Sequence, residues 1–112
     1  MGADNFMAYV GIRILLDPKN ERELEGIETR SDSRIAAARD AGLQSYLGRW
    51  TDGEYHFLLI GTELGRFGAE GRDYAGFKSE ELSSIVAKTR ERLIHAGFKG
   101  EPSIHLQFEA QD

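Results

Sequence analysis

The side chains best suited by type and spacing to do chemistry fall between Gly61 and Gly76. Five of the chain's thirteen glycines lie there, interleaved with Arg66, Phe67, Arg72 and Tyr74. Glycines let backbone N–H groups approach an anion, and Arg66, Arg72 and Lys78 could neutralise one. The spacing Gly65-x-x-Gly68-x-x-Gly71 is not a dinucleotide fingerprint, however, and there is no Walker lysine motif. The simpler role of these glycines is to let the backbone turn.

Other chemistries find less support. The chain has no cysteine, which excludes disulfides, thiolate metal sites and thiol catalysis. His56, His95 and His105 show no H-x-x-x-H spacing, so no metal site is predicted. No serine sits in a G-x-S-x-G elbow. Ser31, Ser33 and Ser79 read as helix caps, and Asp17, Asp32, Asp40 and Asp52 as cap, helix-surface and turn residues. Among carboxylates, Glu63, Glu70 and Asp73 are the ones worth testing, because they share the glycine-rich segment. No cofactor is predicted.

The elements that must position these residues follow from hydrophobic periodicity. Residues 6–16 alternate at period two, with Phe6, Ala8, Val10, Ile12, Ile14 and Leu16 on one face and Tyr9 and Arg13 on the other. Asp17-Pro18 stops that strand. Asn20 and Glu23 have capping-box spacing ahead of a short helix bearing Leu24 and Ile27. Ser31-Asp32-Ser33 starts a second helical stretch through Ala41, ended by Gly42. Residues 44–50 read as a strand, Asp52-Gly53 as a hairpin turn and residues 54–61 as the next strand. Segment 62–78 is long for a connection, which predicts an extra short strand at 64–69 or a functional loop. Ser79 is expected to cap a helix whose apolar face is Leu82, Ile85, Val86, Thr89, Leu93 and Ile94, with Gly97 as its stop. Residues 103–109 form the last strand.

The order strand, helix, strand, strand, helix, strand predicts an α+β two-layer sandwich. Its pattern is the ferredoxin-like βαββαβ antiparallel sheet with two helices on one face. At 112 residues the chain is a single domain, residues 1–112. Its 40% hydrophobic and 29% charged composition is that of a globular domain. No stretch approaches the roughly 20 apolar residues of a membrane span. The first residues lack the basic region and apolar core of a signal peptide. With no cysteine, a cytoplasmic location is expected. The net charge of −5, with acids and bases interspersed, argues against nucleic acid and favours a basic partner.

These features predict a non-enzymatic protein-binding module, of the inhibitor or immunity-protein type, that covers a surface of a basic partner. The expected binding residues are Tyr9, Arg13, Tyr46, Trp50, Arg66, Phe67, Arg72 and Tyr74, on the helix-free sheet face and the segment after Ile60. Aromatics with arginine are the composition of interface hot spots. The alternative is a homodimeric small-molecule enzyme or ligand-binding protein, with a pocket on the helix-free face lined by His56, His105, Arg13 or Tyr9.

Overall fold

The alternation over the first strand and the unbroken apolar run Phe57–Ile60 produce the two central strands of an antiparallel sheet. The computed structural model describes residues 5–17, 19–49, 56–68 and 71–109. Its elements in order are β1 (Asn5–Leu16), α1 (Glu21–Glu28), α2 (Ser33–Asp40), β2 (Gln44–Arg49), β3 (His56–Gly68), α3 (Ser79–His95) and β4 (Ser103–Glu109). The four strands lie in the order β2-β3-β1-β4, and every neighbouring pair is antiparallel. The architecture is α+β. Among the described residues no helix is long and apolar enough to cross a membrane.

The helical segment after β1 is bent into two pieces. Asn20 caps α1 by accepting the Glu23 amide at 3.1 Å. Asp32 caps α2 by accepting the Arg34 amide at 2.8 Å and also holds the Arg34 guanidinium. Between them Arg30 takes a positive φ of 60°. The predicted stops at Gly42 and Gly97 adopt left-handed φ values of 81° and 88°. At α3 the start differs from expectation. Lys78 is the extended residue before the helix and makes no side-chain cap, and Ser79 is already helical. Glu80 and Glu81 in the first turn complement the helix dipole instead.

Ile27, Ile35, Ala38 and Leu93 from the helices share one buried cluster with Leu16, Leu58 and Ile60 from the sheet. Thr89 is the buried polar side chain of α3. Its hydroxyl donates to the Ile85 carbonyl and accepts from Thr62 on β3, both at 2.7 Å. Ile94, expected on the apolar face, is exposed, because it lies about 100° around the helix from Leu93.

A further difference concerns β3. The extra strand expected at 64–69 is a continuation of β3, which runs to Gly68 against the N-terminal half of β1. Ala8 faces Gly65 and Tyr9 faces Glu63, so Leu64 is the extra residue of a bulge. The bulge absorbs the irregularity that would otherwise have ended pairing. The Asp52-Gly53 turn lies outside the described residues.

Gly11 and Gly61 face each other at the centre of the β1–β3 pair. A Cβ on Gly11 would run into the Ile60 carbonyl, and one on Gly61 into the Val10 carbonyl. Gly11→Ala or Gly61→Ala should therefore destabilise the domain by about 3 kcal/mol or more, read from urea unfolding. Gly26→Ala in α1 meets only the Ser31 hydroxyl at 3.8 Å. It should be neutral or stabilise by up to about 1 kcal/mol, as helix propensity dictates.

Candidate functional site

Successive side chains of a strand point to opposite faces, so the run Phe57-Leu58-Leu59-Ile60 feeds both sides of the sheet. Leu58 and Ile60 meet the helices. Phe57 and Leu59 join Met7 and Tyr9 in a second cluster on the helix-free face, with Tyr46 packed against it. Each of the four is at most 3% exposed. Instead of an open aromatic surface, this face has a small core of its own.

Arginines close that core. The Arg13 guanidinium lies 4.5 Å from the Phe57 ring centroid, and that of Arg66 lies 5.2 Å from the Tyr46 ring centroid. Such stacks add electrostatic attraction to the packing of the arginine stems. The Phe57 ring also sits over Gly48, its partner on β2, where a Cβ would overlap it. The Tyr46 and Phe57 rings are 6.4 Å apart and tilted.

Arg66 is held in place by its neighbours. Its Nε donates to Glu63, three residues earlier across the bulge, and the Glu63 carboxylate pushes the guanidinium pKa further up. The Glu63 amide donates to Gln44 on β2 at 2.7 Å. Tyr9 lies opposite Glu63 on β1. Burial, and then the Glu63 carboxylate, push its phenol pKa up, against the opposing pull of Arg66. His105 of β4 lies opposite Tyr9 and contacts the Gly11 carbonyl at 3.0 Å. His56, opposite Leu16, is on the other face of the sheet.

Four of the eight predicted binding residues, Tyr9, Arg13, Tyr46 and Arg66, thus converge on the helix-free face. Tyr9 is interior, so solvent meets Arg66 above it. Arg72 lies beside them. Its amide donates to the Arg66 carbonyl at 2.9 Å and its carbonyl accepts from Gly68 at 3.2 Å, folding the chain back on the end of β3. Glu63, Leu64, Gly65, Arg66, Gly71 and Arg72 line a shallow cavity of about 330 Å³ there. Phe67 points to the opposite face, where its ring is 6.1 Å from that of Phe6. Tyr74 is 76% exposed and lines a different cavity with Phe77, Lys78 and Glu81. Trp50 lies outside the described residues.

Met7, Leu59, Glu63 and Gln44 complete the site and were not among the predicted binding residues. The uninterrupted run Phe57–Ile60 was the available signal for a face buried on both sides. Among the described residues no three histidines or carboxylates converge to hold a metal ion. No protein-family model, curated protein or solved structure matches the chain.

The raised phenol pKa carries a sign. The unfolded chain releases the Tyr9 proton near pH 10, whereas the folded protein retains it. Stability should therefore fall as pH rises above about 10, because the unfolded state alone gains the ionised form. Urea unfolding between pH 8 and alkaline pH should show a smaller loss for Tyr9→Phe than for the native protein.

Proposed function

We propose that this protein is a non-enzymatic protein-binding module with a ferredoxin-like fold, of the inhibitor or immunity-protein type. The fold reading is supported by inner strands β1 and β3, edge strands β2 and β4, and antiparallel pairing throughout. One observation carries the binding reading: the Arg66 guanidinium, ion-paired to Glu63 and laid across Tyr46, remains more than half exposed. An arginine held this way loses little conformational freedom when it meets a partner, and Arg and Tyr are the residues on which binding energy concentrates. Arg72 and the shallow cavity beside it extend the same surface. The net charge of −5 favours long-range encounter with a basic protein, while the exposed Arg66 and Arg72 call for acidic or aromatic groups in the contact itself.

The alternative, a ligand pocket on the helix-free face, draws less support. Its apolar floor is already filled by Met7, Tyr9, Phe57 and Leu59.

Affinity capture with the purified protein as bait should retain one specific partner. Arg66→Ala should weaken that complex by at least about tenfold, roughly 1.4 kcal/mol. Arg39→Ala, on the exposed surface of α2, should leave it unchanged. Equal loss from both variants, or no partner held by the native protein, contradicts the proposal.

A further inference from the structure

The helix-side row of β4 is apolar yet uncovered. Ile104, Leu106 and Phe108 are 50%, 65% and 56% exposed, and Phe6 beside them on β1 is 36% exposed. The reason is geometric: α3 packs mainly over β1 and β3, the strands inward of β4. β4 is also an edge strand, and among the described residues nothing pairs with its outer side. Edge strands are ordinarily guarded by lysine, proline, a bulge or a covering segment. The sequence Ser-Ile-His-Leu-Gln-Phe-Glu has none of the first two, and its pairing with β1 is regular over all seven residues. The opposite edge is treated differently: the Arg30 side chain reaches across to the Ser45 hydroxyl of β2 at 3.2 Å.

We propose that β4 is a self-association edge, pairing antiparallel with β4 of a second copy about a two-fold axis through Leu106. The result is a continuous eight-stranded sheet. The strand is complementary to itself in this register. Leu106 meets its own copy, Ile104 meets Phe108, His105 meets Gln107 and Ser103 meets Glu109, so all seven residues pair and no like charges oppose. Side-chain parity is kept, so both apolar rows fall on the helix side and form one patch. The four apolar residues expose roughly 400 Å² per copy, taking about 200 Å² for a fully exposed large apolar side chain. Edge pairing covers the flanks of Ile104, Leu106 and Phe108 and gives partners to the outward backbone N–H and C=O groups of both copies, while Phe6, one strand further in, stays outside the seam. The same face and residues serve both copies, as a two-fold interface requires.

The chain has no cysteine, so single cysteines report the register directly. Opposed residues in an antiparallel pair have Cα atoms roughly 4.5–5.5 Å apart, inside the span a disulfide bridges. With oxidised glutathione, Leu106→Cys should cross-link at least about tenfold faster than Ser84→Cys on the exposed surface of α3. Ile104→Cys and Phe108→Cys should each cross-link poorly alone and well when mixed. Sedimentation at about 50 µM should show a dimer for the native protein and a monomer for Leu106→Lys, with unchanged circular dichroism because Leu106 is exposed. A native monomer overturns the proposal and leaves the edge for a foreign strand or for none. Cross-linking of Leu106→Cys no faster than Ser84→Cys, or of Ile104→Cys with itself, overturns this register.

Discussion

The constraint on which this structure depends is that β3 is buried on both faces. Phe57, Leu58, Leu59 and Ile60 follow one another without a polar residue and are almost wholly buried. Because alternate side chains leave a strand in opposite directions, each face of the sheet must supply a cover. The helices cover Leu58 and Ile60. The other pair is covered by packing against Met7, Tyr9 and Tyr46 and by arginines laid across the rings. Gly48 leaves room for the Phe57 ring, and Gly11 and Gly61 let the central strands approach where side chains would collide. Removing about 25 cal/mol per Å² of apolar surface from water on both sides is what fixes β3 at the centre.

That constraint shapes the candidate surface. Cations over aromatic rings are a cover that is itself polar, so the helix-free face is closed to water beneath and charged above. Glu63 and Gln44 tie the cover to β2 and β3, which makes Arg66 a positioned group rather than a swinging one. The bulge at Leu64 is the local device that brings Glu63, Arg66 and Tyr9 together. The exposed row of β4 on the helix side, by contrast, is apolar. The two surfaces differ in chemistry and in place, so a partner on one does not exclude a second copy on the other.

The sequence made the architecture readable wherever the signal was local. Alternation marked β1 and β4, Asn20 acted as a cap, Asp32 rather than Ser31 or Ser33 capped the second helix, and Gly42 and Gly97 ended helices. What remained hidden depended on partners far along the chain. Segment 62–78 read as a loop or an extra strand because the partner that extends β3 is the beginning of β1. Ile94 read as core because helical spacing alone does not say how wide a stripe the sheet covers. Tyr9 and Arg13 were correctly set on the helix-free face. That Tyr9 is interior while Arg66 shields it follows from cross-strand packing, which no single window of sequence contains.

Thiol labelling of Leu59→Cys tests the two-sided burial most directly, since the chain offers no competing cysteine. Leu59 belongs to the helix-free face, so its reactivity reports that face and not the helical one. The Leu59→Cys thiol should react with an aromatic disulfide reagent only at the rate of unfolding, with Arg66→Cys reacting at once. Rapid labelling of Leu59→Cys in the folded protein would show an open helix-free face and contradict the account.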